Sequence, residues 1–258
     1  MLDKASQLPE VFTRWFASRG WAPRAHQLAL LAKAQAGRSV LLIAPTGGGK
    51  TLAGFLPSLV ELSAAAASTR ETATRSKLVS IGRGVRRSGG LHTLYISPLK
   101  ALAVDIARNL EAPVAEMRLP IRIETRTGDT PTSKRQRQRR DPPDILLTTP
   151  EQLALLLASA DGPYLFGSLR RIILDELHAL VTSKRGDLLS LGLARLFRVA
   201  PGLTAVGLSA TVADRPMLVS CGARRNSRAR PSASKSPRFE VTSAWSSSRM
   251  TRRSEPNK

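Results

Sequence analysis

Two stretches of the chain hold residue types whose order suits phosphate chemistry. The first is Val40–Thr51, VLLIAPTGGGKT, in which an apolar run enters a glycine-rich turn and a helix-forming segment leaves it. Glycines let the backbone curl so that several N–H groups point at one anion, and a helix N-terminus adds partial positive charge. Thr46, Gly47, Gly48 and Gly49 would form this cradle. Lys50 would reach the β- and γ-phosphates of a nucleoside triphosphate, and the Thr51 hydroxyl would ligate Mg²⁺. The usual pattern begins with Gly; Ala44 stands there instead. The second stretch is Arg170–His178, RRIILDELH, where an apolar run ends in two acids. Asp175 is suited to hold Mg²⁺, directly or through water, and Glu176 to position or deprotonate an attacking water. Phosphoryl transfer needs this positioning and charge neutralisation more than covalent help. Taken alone, an Asp-Glu pair after a strand also suits a helix cap, and GKT also suits a flexible turn.

Both stretches need a scaffold that brings strand ends together. Short apolar runs at Val40–Ala44, Thr93–Ser97, Arg122–Thr127, Ile145–Thr149, Ile172–Asp175 and Ala205–Ser209 read as strands. Helical patterns at Thr51–Ala66, Ala101–Leu110, Glu151–Ser159 and Gly186–Val199 fall between them. Continuous apolar strands alternating with helices predict an α/β fold, a parallel sheet with helices on both faces. Such a sheet binds ligands at the carboxyl ends of its strands, where both acids and the glycine turn would lie.

Further segments follow in a fixed order: WAPRAHQ at Trp21–Gln27, SPLKAL at Ser97–Leu102, TGDT at Thr127–Thr130, TTPE at Thr148–Glu151, DELH at Asp175–His178 and SAT at Ser209–Thr211. With the glycine turn, these seven segments span residues 20–211 and resemble the motifs of superfamily 2 DExH-box helicases. The wording around TLYISPLKALAVDIARNL and LDELHALVTSKRGDLL is similar to the Lhr family, in particular its Lhr-core, ligase-associated DNA damage response type. The resemblance implies a RecA-like P-loop domain that binds and hydrolyses ATP with Mg²⁺, coupled to movement on single-stranded DNA in repair, with RNA as the alternative strand. It implies catalytic roles for Lys50, Asp175 and Glu176, and adenine reading by Gln27 with help from Arg24. It implies strand contacts by Ser97, Pro98, Lys100, Gly128, Asp129, Thr149 and Pro150, and coupling by His178, Ser209 and Thr211. Read singly, these residues are ordinary turn chemistry. Repair ligase or nuclease partners and a bacterial cytoplasmic, nucleoid-associated location also come with the resemblance.

The implied organisation is an N-terminal helical segment at 1–38, a RecA-like domain at 39–219 and a basic tail at 220–258. Trp15, Phe16 and Trp21 read as packing for the first segment rather than as a base-stacking platform. Ser63–Gly90 reads in its latter part as an exposed loop. Lys134–Arg140, KRQRQRR, is open between a solvated face and a binding surface. The tail is Ser/Arg-rich and aperiodic, which predicts disorder; an out-of-frame translation or a degraded gene end is the origin its composition suggests. In this family a second lobe supplies arginine fingers, whose loss costs about 10³–10⁵ in phosphoryl transfer where NTPases use one. Little or no unwinding is therefore expected of the 258-residue chain.

Bulk composition agrees. The net charge is +21, of which +8 lies in residues 221–258, leaving +13 on the rest. That favours a polyanionic partner. One cysteine, Cys221, precludes an intrachain disulfide or cysteine-cage metal site. No run reads as long enough to cross a bilayer, and no membrane partner is expected. The competing class is a basic nucleic-acid-binding module with a vestigial nucleotide site, whose binding would follow salt and ignore ATP. A P-loop GTPase or metabolic kinase is disfavoured, since there is no N-K-x-D sequence and the acids read DELH rather than D-x-x-G.

Overall fold

A computed structural model describes residues 8–75, 90–181, 183–210 and 239–243. The strands are β1 (Ser39–Ile43), β2 (Thr93–Ile96), β3 (Ile123–Arg126), β4 (Ile145–Thr148), β5 (Arg171–Leu174), β6 (Thr204–Ser209) and β7 (Phe239–Ser243). They form one sheet in the order β3-β4-β2-β5-β6-β1-β7. Every pairing is parallel, so each return connection must cross a face. The helices are α1 (Glu10–Ser18), α2 (Ala25–Gln35), α3 (Lys50–Arg75), α4 (Lys100–Glu116), α5 (Thr132–Arg140), α6 (Pro150–Ala158), α7 (Gly162–Phe166), α8 (Leu177–Val181) and α9 (Lys184–Val199). The α/β class expected from the alternation is what the chain adopts.

Alternation within the strands divides the core in two. Val40, Leu42, Tyr95, Leu147, Ile173, Val206 and Leu208 face one way, against Phe12, Leu30, Phe55, Leu59 and Ile106 of α1 to α4. Leu94, Ile96, Leu146, Ile172, Leu174 and Ala205 face the other, against Leu153, Phe166, Leu189 and Leu196 of α6, α7 and α9. Successive strand side chains point to opposite faces, so a run apolar throughout is what a sheet covered on both sides requires. Helix α3 lies close to the sheet through Gly54, where a Cβ would sit 3.0 Å from Leu208 Cδ1.

Several expectations need correction. Helix α3 runs on to Arg75, nine residues past the expected end at Ala66; Ala-rich sequence with Glu and Arg sustains a helix well. The loop expected from the latter part of Ser63–Gly90 therefore begins later, and residues 76–89 lie outside the described residues. Within α3, Lys50–Ser68 is long and apolar enough to cross a membrane by length and composition, contrary to the sequence reading. Its Ala53, Phe55, Leu56, Leu59 and Val60 are buried in the first core cluster, which accounts for the apolar run. Disorder throughout 220–258 is also not upheld: Phe239–Ser243 pairs with β1, Ser39 opposite Phe239 and Ile43 opposite Ser243. A β1 edge left unpaired would expose a row of N–H and C=O groups, and this strand covers them. Cys221, Thr211 and the rest of the tail lie outside the described residues.

Candidate nucleotide and nucleic-acid site

The β1–α3 turn has the geometry that an anion cradle needs. Gly47 and Gly49 take φ of 75° and 74°, in the left-handed region that favours glycine. A Cβ on Gly48 would meet the Pro45 carbonyl at 2.8 Å, and one on Gly49 would meet Gln27 Nε2 at 2.9 Å. Three consecutive positions thus exclude side chains, two by backbone angle and two by space. The Lys50 side chain folds back, and its ammonium donates to the Ala44 carbonyl at 2.9 Å with only 9% of the residue exposed. One of three ammonium donors is spent on the first residue of the turn, which holds the charge over the cradle. Thr51, half-buried, follows it at the helix start. Alanine at position 44 is fully buried and donates its N–H to Ser209 O at 3.1 Å; the turn therefore starts in the sheet itself, without the missing glycine.

The segment before β1 braces the turn. Arg24 N–H donates to Gln27 Oε1 at 2.9 Å, and Gln27 Nε2 donates to Gly49 O at 3.3 Å. His26 Nε2 lies 2.9 Å from Gly48 O, and donates when its proton is on that nitrogen. Gln27 is 3% exposed. Its amide holds the glycine turn, while Arg24 is exposed beside it. His26 was absent from the expected set; it lies one residue before Gln27 and would have needed the fold to be noticed.

Opposite the turn, β5 ends in Asp175 and Glu176. Asp175 is buried and accepts twice: Oδ1 from its neighbour Glu176 N–H at 2.9 Å, Oδ2 from the Tyr95 hydroxyl. Burial, then the negative charge of Asp175, push the Tyr95 phenol well above its ordinary range, so it stays a donor. Glu176 has φ 45°. A non-glycine residue in that region stores strain of about 1–3 kcal/mol and marks a place where surrounding structure dictates side-chain direction. His178 Nδ1 lies 3.4 Å from Glu176 Oε2 and 3.1 Å from Ser209 Oγ. The imidazole therefore bridges the end of β5 to the end of β6. The registers Leu174 to Gly207 and Ile43 to Ser209 bring these ends beside the glycine turn.

These residues fit a Mg²⁺–nucleoside triphosphate. The cradle excludes side chains where phosphate oxygens would sit, and Mg²⁺ is usually held by one or two carboxylates plus substrate phosphates. Asp175 and Thr51 supply that small set. Among the described residues no group of three or more His, Cys, Asp or Glu is placed to hold a metal ion.

The expected strand-contact residues divide. Lys100, Gly128 and Asp129 are exposed at the ends of β2 and β3, and Lys100 Nζ pairs with Asp129 Oδ2 at 2.8 Å. Ser97, Pro98, Thr149 and Pro150 are buried. Ser97 Oγ accepts Leu99 N–H at 3.3 Å, and Pro150 opens α6; these side chains shape loops rather than face solvent. Glu151 is drawn down to about 2, first by its hydrogen bond from Arg185, and so ties α6 to α9.

Helix α5 also departs from a simply solvated face. Arg135 donates Nε to Thr130 O at 2.7 Å and Nη2 to Thr127 O at 3.3 Å and to Gly128 O, caging the TGDT loop. Thr130 Oγ1 accepts Thr127 N–H at 2.9 Å inside that cage. Arg137 pairs with Glu124 at 2.8 Å, and Gln138 is buried against Glu124 and Thr125. Beneath them Arg126 is buried with its Nε unpartnered, and burial, then Arg139 and Arg135, push it down to about 10.

At the N-terminus, Trp15 and Phe16 are buried, and Trp15 Nε1 donates to Glu116 at 2.7 Å. Trp21 packs edge-on against Trp15 at 5.9 Å but stays 54% exposed, with Arg19 over its ring. Packing thus accounts for the first two fully and for Trp21 in part.

The pattern of the DEAD/DEAH box helicase family matches residues 24–219. The chain belongs to that family. An Escherichia coli (strain K12) protein described as Lhr helicase/uracil glycosylase is 40% identical over 227 residues, covering 81% of this chain and 14% of its own length. The ATP-dependent helicase Lhr-Core of Methanothermobacter thermautotrophicus is 41% identical over 185 residues, covering 68% of this chain and 20% of its own. A solved structure of Mycobacterium smegmatis helicase Lhr bound to ssDNA and AMP-PNP is 32% identical with a TM-score of 0.72, over 91% of this chain and 27% of that one. The chain thus spans a fifth or less of the length of these two curated relatives. The resemblance carried by the motifs is borne out at the level of family and fold.

Proposed function

We propose that this chain is a nucleotide-driven motor element of the Lhr type, binding Mg²⁺·ATP between the β1–α3 turn and the end of β5 and coupling its hydrolysis to single-stranded nucleic acid. One observation carries the reading: Lys50, Asp175, Glu176, His178 and Ser209 arrive from three separate segments at adjoining strand ends, next to a turn that excludes side chains. Lys50 neutralises phosphate charge, Thr51 and Asp175 hold Mg²⁺, and Glu176 orients or deprotonates the attacking water. His178 and Ser209 carry the state of that site towards β6. The strand lies along the exposed rim at Leu99, Lys100, Gly128 and Asp129, where contacts read backbone rather than sequence. DNA is favoured over RNA by the Lhr resemblance, which alone carries repair partners and a cytoplasmic, nucleoid-associated location.

The test measures nucleotide binding, ATP turnover and single-stranded DNA affinity for the chain and for Lys50→Ala. The reading expects Mg²⁺·ATP binding weakened about tenfold or more by the substitution, as loss of a charge-assisted contact implies. It also expects DNA affinity to change when ATP is added. DNA binding that is steeply salt-dependent, indifferent to ATP and equal in both proteins would instead establish the basic-module reading.

A further inference from the structure

Tyr95 stands in an otherwise apolar strand, TLYI, with its ring stacked on Phe55 at 5.3 Å and 24°. It is 0% exposed. Phenylalanine would fill the same space without burying a hydroxyl, and a buried hydroxyl is costly unless it finds a partner. Here the partner is the Asp175 carboxylate, whose other oxygen is already held by Glu176 N–H. Two residues further on, at the end of the same strand, Ser97 Oγ accepts the N–H of Leu99, which is 60% exposed. The strand that ends at the exposed loop Leu99–Lys100 therefore also carries the phenol that donates to the carboxylate at the end of β5. The sequence reading gave Tyr95 no role of its own, only a place in the strand Thr93–Ser97.

We propose that Tyr95 is a positioning residue that fixes the rotamer of Asp175 for Mg²⁺. The inference rests on the nucleotide-site reading above. Two oxygens held by two donors leave the carboxylate one orientation, so the lone pairs offered to Mg²⁺ or its water shell are set before nucleotide arrives. Partners of this kind behind a ligand typically carry about 10–100-fold in metal affinity.

The experiment uses the full chain and Tyr95→Phe, which keeps the stack on Phe55. Affinity for a fluorescent ATP analogue is measured in EDTA and across a magnesium chloride titration, with thermal melting in parallel. The expected result is unchanged affinity in EDTA and a magnesium midpoint raised about 10–100-fold. In an Asp175→Asn background, Tyr95→Phe should add nothing further, because the two act as one unit. A titration of Tyr95→Phe that matches the parent overturns the inference, as does a lowered melting temperature with an unmoved midpoint. Additive losses in the double variant overturn it too. Lys50→Ala separates the two readings: if the parent shows no binding that Lys50→Ala abolishes, the nucleotide site itself falls and the inference falls with it. If that control behaves and only Tyr95→Phe is silent, the inference alone falls.

Discussion

Gly47 and Gly49 offer a controlled comparison within one turn. Their φ angles differ by one degree, 75° against 74°, so an alanine at either meets the same backbone strain. That strain is about 1–2 kcal/mol for an L-residue in the left-handed region. Their surroundings differ. A Cβ on Gly47 has nothing within 4 Å, whereas one on Gly49 lies 2.9 Å from Gln27 Nε2. The glutamine cannot swing away freely, because Nε2 donates to Gly49 O and Oε1 accepts from Arg24 N–H. Displacing it loosens bonds worth about 0.5–1.5 kcal/mol each and leaves buried polar atoms short of partners, at about 1–3 kcal/mol. Gly49→Ala should therefore cost about 1–3 kcal/mol more than Gly47→Ala, in addition to the strain they share. Urea denaturation of both variants reads the difference. Removing the obstacle with Gln27→Ala should bring the cost of Gly49→Ala down to that of Gly47→Ala, since the excess is a pairwise term. Equal losses in the two glycine variants, or an excess that survives Gln27→Ala, would refute the idea that Gln27 is wedged against the turn.

Glu61 should govern acid stability at the opposite edge of the sheet. Desolvation pushes its carboxyl up, but hydrogen bonds from His92 and Arg171 and their charges outweigh that and hold it near 2. The folded value is depressed, so its contribution is complete above the unfolded value near 4.5 and is lost as pH falls towards 2. With a third of the side chain exposed, about 1–2 kcal/mol at neutral pH is the screened expectation. The stability gap between the chain and Glu61→Gln should then narrow from pH 5 to pH 2 in urea melts, and a gap independent of pH would contradict this. In α5, Arg135→Gln and Arg140→Gln remove the same charge, but only Arg135 cages the TGDT loop. Arg135→Gln should weaken single-stranded DNA binding several-fold more in fluorescence anisotropy, by about 1–2 kcal/mol for the loosened loop after its three charge-assisted bonds are lost; equal effects would reduce α5 to a diffuse positive field.

The parts of the site that depend on short spans were legible. VLLIAPTGGGKT states a strand, a turn and a helix within twelve residues, and each local signal agrees with the next. The acids of DELH were legible for the same reason, as was a role for His178, two residues from Glu176. Partnerships across long separations were hidden. Tyr95 and Asp175 are 80 residues apart, and Arg171 meets Glu61 across 110. Tyrosine in an apolar strand is an ordinary core residue until the sheet order places β2 beside β5. β7 was hidden in a different way: FEVTS sits inside a Ser/Arg-rich segment with no period, and only the edge left by β1 gives it a partner.

The loops after β2 and β4 show why residue types at loop ends say little when read singly. Ser, Pro and Thr in SPLKAL and TTPE are the residues that turn a strand into a helix, and in the folded chain Ser97, Pro98, Thr149 and Pro150 are buried doing so. What they present to solvent is the loop between them, with Leu99 and Lys100 outermost. Even Lys100 is engaged, because Asp129 neutralises it across the rim. An exposed ion pair of this kind is worth only about 0–1 kcal/mol. What this rim offers to solvent is thus set by the few groups that the buried turn residues leave exposed.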